Sequence, residues 1–360
     1  TKNNTMSNST WYLVLRKAPF LIRLFLSVSS CSAFLPRSLT MLPTGANISR
    51  PKKAYPPPSA AAARSCTDDD APLHLAVVGC GVLGTSLCRQ ILSSKPEAHV
   101  VGIAKTENNH ATILADMASG DGVRNFRTAT YADVVAVGET FPDVVFCAPP
   151  SGSDDYPAMV ADALERIWAG PEGGGAFVFT SSGVVYAEGS AELYPVTETS
   201  PLADIAINPR AARMIGAERA CLAAGGTVLR LAGLYNINRG AHNFYIKKGE
   251  VKQPSNGVIN QLHYDDAASA CAAALVADRQ SIRSQVFLIS DGSPMTRYDI
   301  CRSTLKAFYY QGKSMPTFSE SSGENSLSKI GKIYDAKVSS KVLAWQPEYS
   351  SFDAFMTSNS

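Results

Sequence analysis

The chain has 360 residues, 45% of them hydrophobic, and a net charge of +2, enough for a sizeable core in one large or two small domains. Nine of its 33 basic residues and none of its 31 acidic ones fall within residues 1–67, so the remainder carries 24 bases against 31 acids, a net of −7. That balance leaves no footprint for nucleic acid, and no apolar run reaches the roughly 18 residues that span a bilayer.

Residues 1–72 read as a targeting presequence and linker. Arg16 and Lys17 precede an apolar run from Ala18 to Val28, broken only by Arg23. Small residues follow up to Ala33, then Phe34 and a Ser/Pro/Ala-rich, acid-free stretch through Ala63.

From Leu73 a strand-and-helix rhythm begins. Leu75 to Val78 is an apolar strand that runs into Gly79, Gly81 and Gly84, and an amphipathic run to Leu92 follows. Strand, glycine-rich turn and helix in that order are the context a dinucleotide fingerprint requires. Gly79 suits a tight turn, Gly81 a close backbone approach to a pyrophosphate, and Gly84 helix-on-strand packing. The free N–H groups near Val82 and Leu83 would receive the pyrophosphate. His99–Ile103 is a second strand. At the following turn stand Lys105 and Thr106, where an NAD enzyme carries an acid for the ribose 2′-OH. A cation there suits a 2′-phosphate, so NADP(H) is preferred, with NAD(H) possible.

His110–Met117 reads as a helix, Asn125–Thr128 as a third strand and Asp143–Cys147 as a fourth, ending at Ala148 and Pro149. Asp155–Ala169 is helical, Ala176–Thr180 a fifth strand, Ala211–Ala224 a helix and Thr227–Leu231 a sixth strand. The alternation predicts an α/β fold with a doubly wound parallel Rossmann sheet over 73–233. Beyond Gly233 the pattern changes. Helices at 265–276 and 296–308 and a strand at 286–290 read as a smaller C-terminal α+β lobe over 234–360 that would bind substrate. Thr296 and Asp299 have the spacing of a helix cap, and the aromatic end, Trp345–Phe355, should pack back on the body. The eight cysteines include no C-x-x-C and the five histidines no H-x-x-x-H. The thiols therefore read as reduced and structural, and no metal is expected.

Several of these runs together resemble the extended short-chain dehydrogenase/reductases, the NAD-dependent epimerase/dehydratase group. They are Gly79-x-Gly81-x-x-Gly84, Phe179–Tyr186, Leu229–Tyr235 and His263–Ala268. Cys147–Ser151, Arg239–His242 and the Trp345-x-Pro-x-Tyr349 end are similar to atypical members from bacteria and plant plastids. The resemblance implies that Ser182 bonds a substrate oxygen. It implies that Ala148, Pro149, Thr180 and Leu234 line the cofactor, and that His263 and Asp266 are structural. The group's Tyr-x-x-x-Lys proton-transfer pair is missing, because the helix before the sixth strand, Asn208 to Glu218, holds neither residue. Arg213 lies nearest the lysine's place and would reach ribose or phosphate, but a guanidinium is a poor proton shuttle. Tyr186, Tyr235 and His242 are then the candidate acids.

Three functions follow as expectations. One is an oxidoreductase acting on a small carbonyl, alcohol or sugar-nucleotide-like substrate. The others are a non-catalytic NADP(H) sensor or assembly factor, and an NAD-dependent epimerase. Cys31-Ser32-Ala33-Phe34-Leu35-Pro36 resembles the Ala-Ser-Ala-Phe-Ala-Pro motif of diatom-type plastid presequences, implying a plastid location. Without a true presequence the chain would be cytoplasmic.

Overall fold

A computed structural model of the chain describes residues 72–118, 123–187, 195–319 and 331–360. The presequence reading lies outside the described residues. Leu75 and Val77 point to one face of the first strand and Ala76 and Val78 to the other, and all four are buried. A strand covered on both faces reads as an unbroken apolar run, the signature of a parallel sheet between helix layers.

The main elements follow in chain order: β1 (His74–Val78), α1 (Val82–Ser94), β2 (His99–Ala104), α2 (His110–Met117), β3 (Phe126–Thr130), α3 (Tyr131–Val137), β4 (Asp143–Phe146), α4 (Tyr156–Arg166), β5 (Phe177–Ser182), α5 (Pro209–Ala223) and β6 (Thr227–Leu231). After them come β7 (Gly233–Tyr235), α6 (Ala241–Lys248), β8 (Gln261–His263), α7 (Tyr264–Val276), β9 (Val286–Ile289), α8 (Arg297–Thr304) and, near the end, α9 (Phe352–Ser358). The seven-stranded sheet has the order β9-β6-β5-β4-β1-β2-β3, parallel throughout. This is a Rossmann-like α/β fold. The chain runs outward from β1 in both directions, so the topological switch falls between β1 and β4, where such sheets bind ligands at their carboxyl ends. Helices α1, α2 and α7 cover the Leu75/Val77 face, and α4 and α5 cover the Ala76/Val78 face.

The sequence places most of the expected elements within two residues; the helices expected to run to Ala169 and to residue 308 end at Arg166 and Thr304, and the N-terminal ends are set by caps. Asp155 accepts the Ala158 N–H at 3.0 Å and Asn208 accepts the Ala211 N–H at 3.0 Å, each with a proline inside the first turn. Thr296 caps α8 through the Asp299 N–H at 3.0 Å, as its spacing indicates. Helix α3 escapes sequence reading because it has only seven residues. Its Thr130 cap and its left-handed Gly138 end are both present.

Past Gly233 the chain does two things. Tyr235, Tyr245, Ile246, Ile300, Tyr310, Phe352 and Phe355 build a separate apolar cluster. However, β9 returns to pair with β6 and extend the central sheet, and α7 packs on α1. The sheet therefore does not stop at residue 233: the exposed edge of β6 takes a strand from what reads as the lobe. The alanine face of α7 lets it lie close to α1, where Ser86 donates to Asp265 at 2.5 Å and the Gln90 amide to the Asp265 carbonyl at 2.9 Å.

The C-terminal aromatics pack back as expected. Trp345 Nε1 donates to Ser269 Oγ at 2.8 Å. The carboxylate of Asp266 accepts the N–H groups of Glu348 (2.7 Å) and Tyr349 (3.2 Å). This joins the His263–Ala268 run to the Trp345–Tyr349 run. At the same seam, burial raises the Asp291 carboxyl to about 7 against the opposing N–H of Ser293, and the charge of Asp266 adds to the rise. An unfolded aspartate titrates near 3.8, so the folded chain holds this proton between about pH 4 and pH 7, and its contribution to stability falls as pH rises through that window. Urea unfolding of Asp291→Asn should lack this slope, ending on the order of 2–4 kcal/mol better relative to wild type at pH 8 than at pH 4. Parallel pH profiles would overturn the assignment.

Candidate dinucleotide-binding cleft

The turn after β1 is forced by contact. Gly79 has φ +93°, and a Cβ on it would lie 2.2 Å from the backbone N of Ala148, in the turn after β4. No other side chain fits between the two turns. Gly84 faces the Gly79 carbonyl and Val77, where a Cβ would sit 2.9 and 3.0 Å away. At Gly81 the same test finds only the Gly79 carbonyl at 4.0 Å, so its open side faces the cleft. Gly81 is the N-cap of α1, with no side-chain cap and no acid in the first turn. The first N–H groups of α1, at Val82, Leu83 and Gly84, lack intrahelical partners and point with the helix dipole toward an anion site.

A cavity of about 830 Å³ opens there, at the carboxyl ends of β1, β2, β4, β5 and β6. Gly79, Gly81, Val82 and Leu83 form one wall, Ala148, Pro149 and Gly152 another, and Thr180, Ser182 and Leu234 the floor at the β5–β6 side. Lys105 stands at the β2 end, with its Nζ 3.0 Å from the Gly152 carbonyl. Thr106 follows it outside the lining. Among the described residues the charged groups bordering the cavity are Lys105, Arg210 and Arg239, and none is acidic. A phosphate-rich dinucleotide fits these residues: an open glycine, an uncapped helix start, and cations with no carboxylate to repel it.

Four residues expected to serve cofactor or substrate do not face the cleft. Arg213 does not open onto the cleft. Its guanidinium donates to the Pro150 carbonyl at 2.8 Å and to that of Ser153, holding the loop after β4 from behind. Tyr235 is fully buried between His263, Phe352 and Phe355, and burial raises its phenol well above the ordinary range. His242 is fully buried against Tyr310 and Phe352, with Nε2 3.2 Å from the Ile237 carbonyl. Burial lowers His242 to about 4. Tyr186 lies under the Arg230 guanidinium, 4.8 Å from its ring centre, and is also buried. The three candidate acids therefore serve the core. Periodicity cannot reveal this, because β7 and α6 are short and their inward faces are set by a cluster assembled from distant residues.

What α5 turns toward the cavity is Arg210 and Met214, four residues apart on one helix face. The i, i+4 spacing of Arg210 and Met214 in the sequence carries that signal. Two tyrosines border the cleft with their protons committed. Tyr131 donates to Asp162 at 2.6 Å and Tyr156 to the Ala148 carbonyl at 2.8 Å, and burial foremost raises both phenols. Tyr264, at the start of α7, also reaches the cavity.

The end of β5 divides its hydroxyls. Thr180 Oγ1 donates to the Phe146 carbonyl at 3.2 Å. Ser181 donates at 2.5 Å to buried Glu218 of α5, which pairs with Arg230 of β6 at 2.8 Å. Arg230 also donates to the Glu198 carbonyl at 3.0 Å. Ser182 remains at the cavity surface, accepting only a long bond from the Val184 N–H at 3.4 Å. The neighbouring ion pair thus fixes the strand that presents Ser182.

No family model matches the sequence and no curated protein does. Solved structures do. A UDP-glucuronic acid 4-epimerase from Bacillus cereus, in complex with UDP-glucuronic acid and NAD, aligns with TM-score 0.61 at 19% identity, over 80% of this chain and 98% of that one. The dTDP-glucose 4,6-dehydratase of Bacillus anthracis, in complex with NAD, gives 0.60 at 16% identity over 80% and 95%. The UDP-glucose 4-epimerase of Thermotoga maritima, with UDP-glucose, gives 0.59 at 17% over 80% and 97%. The architecture is therefore that of the epimerase/dehydratase enzymes, a Rossmann-like sheet with its C-terminal additions.

Glu218→Ala should destabilise the protein by about 3–5 kcal/mol, because it strands a buried guanidinium. Urea denaturation measures this, and a loss under 1 kcal/mol would show that Arg230 finds another partner.

Proposed function

We propose that the chain binds NADP(H) in this cleft and is an oxidoreductase acting on a small carbonyl, alcohol or sugar-nucleotide-like substrate. The observation that carries the reading is the uncapped start of α1 behind an open glycine, facing a cavity whose charged borders among the described residues are all basic. Lys105 favours the 2′-phosphate form, since it occupies the turn after β2 where an acid would select NAD. Arg210 and Arg239 also border the cavity and suit a substrate that itself bears negative charge. Ser182, whose oxygen accepts only the long Val184 bond, is the hydroxyl best placed to orient a substrate oxygen. The nicotinamide, when bound, supplies or accepts hydride, while the protein's part is to hold the dinucleotide and orient the reacting oxygen.

A second reading is a non-catalytic NADP(H) sensor or assembly factor. It is favoured by the replacement of an acid–base pair on α5 by Arg210 and Met214 and by the engaged protons of Tyr131 and Tyr156. The acid-free residues 1–67 and the Cys31–Pro36 motif support a plastid location.

Titration of NADPH and NADH against the protein, followed by nicotinamide fluorescence, tests the binding. NADPH should bind more tightly than NADH. Lys105→Glu should weaken NADPH by about tenfold or more, near 1.4 kcal/mol, with little effect on NADH. Gly81→Asp should abolish both by placing a carboxylate where the pyrophosphate sits. Unchanged NADPH affinity in Gly81→Asp would sink the assignment. Turnover of any carbonyl substrate by wild type, lost in Ser182→Ala with NADPH binding retained, separates enzyme from sensor.

A further inference from the structure

The thiol in the glycine-rich turn has a neighbour that sequence spacing does not reveal. Cys80, between Gly79 and Gly81, lies 4.0 Å sulfur to sulfur from Cys88 in α1. Cys80 borders the cleft and is 5% exposed, and Cys88 is fully buried. Among the described residues no other pair of cysteine sulfurs comes within 4.0 Å. We propose that Cys80 and Cys88 form a redox modification site, in which a hydroperoxide entering the cleft converts them reversibly to a disulfide that disables the dinucleotide loop. The effect on the loop rests on the nucleotide-binding reading above; the disulfide itself does not.

The chemistry balances with the peroxide as oxidant. The Cys80 thiolate attacks one peroxide oxygen, the O–O bond breaks, and with hydrogen peroxide the departing hydroxide takes the thiol proton as water. Cys80 is then a sulfenic acid. The Cys88 sulfur attacks the Cys80 sulfur, the S–O bond breaks, and the hydroxyl leaves with the Cys88 proton as a second water. Two thiols lose two electrons and two protons, and the peroxide is reduced. A dithiol reductant reverses the change by exchange.

The surroundings assign the order of attack. The two sulfurs share a hydrogen bond that either can donate; it lowers the Cys80 thiol against the opposing effect of burial, and Thr85, 3.8 Å away, adds to the lowering. The same bond, with burial, raises Cys88. Because Cys80 borders the cleft while Cys88 is fully buried, Cys80 is the nucleophile that meets the oxidant and Cys88 the resolving thiol. Bond formation must bring the sulfurs from 4.0 Å to about 2.05 Å. Cys88 is fixed in the hydrogen-bonded body of α1 and in the core, so the travel falls on Cys80. The Cys80 and Gly79 N–H groups donate to the Ile103 carbonyl at 3.1 and 2.8 Å, and drawing Cys80 toward α1 breaks that seating. The coupling is reciprocal: a bound dinucleotide covers Cys80 and slows its oxidation.

The test uses the full reduced chain treated with hydrogen peroxide, with and without NADPH. Peptide mass mapping reads the linkage, and nicotinamide fluorescence reads affinity. The expected result is a Cys80–Cys88 linked peptide, two hydrogens lighter than its thiols, and NADPH affinity lowered at least tenfold. Dithiothreitol should restore it, and NADPH present during treatment should slow the linkage. Cys80→Ala should keep its affinity after peroxide, whereas Cys147→Ala should still lose it. Absence of the linked peptide, or full affinity in the linked protein, would overturn the proposal. If the linked peptide forms while even the reduced chain ignores NADPH, the modification site stands and the nucleotide reading falls.

Discussion

The cleft depends on one backbone contact. The turn after β1 and the turn after β4 touch main chain to main chain at Gly79 and Ala148, too closely for any side chain. Because β1 and β4 are the neighbours at which strand order reverses, this contact sets the spacing of the two cleft walls. It aims the start of α1 along one wall and the loop from Ala148 to Ser153 along the other. That loop is then held from both sides, by Lys105 at the Gly152 carbonyl and by Arg213 at those of Pro150 and Ser153. Two cations spend hydrogen bonds on loop carbonyls, yet only Lys105 also borders the cavity.

The chemistry that results is lopsided. Anions are well served, by helix N–H groups and by three basic side chains with no acid among them. Protons are poorly served. Two of the tyrosines at the border, Tyr131 and Tyr156, already donate to protein acceptors, and α5 offers the cavity a guanidinium and a thioether, Arg210 and Met214. A guanidinium can hold or stabilise a negative oxygen but does not release a proton near neutral pH. A reaction here would draw its proton from the substrate, from water or from one of the remaining bordering groups such as Tyr264, Lys105 and Cys80, a constraint that shapes the choice between enzyme and sensor.

Polarity is also used where no ligand reaches. The Glu218–Arg230 pair is almost fully buried, ties α5 to β6 and takes the Ser181 hydroxyl. Such a pair adds little net stability compared with an apolar filling, although breaking it is costly. Its geometric effect is to point one serine of β5 inward while its neighbour faces the cavity, since adjacent strand residues alternate faces.

The sequence by itself determined the parallel Rossmann-like sheet, the strand-turn-helix at Gly79–Gly84, the cation at Lys105 and the missing proton-transfer pair. These features are local: a run of apolar residues, a glycine spacing and a composition are complete within a few residues of chain. Only the tertiary structure decided which side chains meet. Tyr235 and His242 each stand two residues after a glycine, yet they point into a cluster completed by Tyr310, Phe352 and Phe355 from the end of the chain. Arg213 and Met214 are neighbours on one helix, and a rotation of about 100° per residue sends one behind the loop and the other into the cavity. Cys80 and Cys88 show no motif spacing, and only the turn at Gly79 brings their sulfurs together. Likewise β9 joins the sheet because β6 leaves an open edge. Side-chain direction and strand partnership are settled by burial against residues distant in sequence, and no short stretch contains that information.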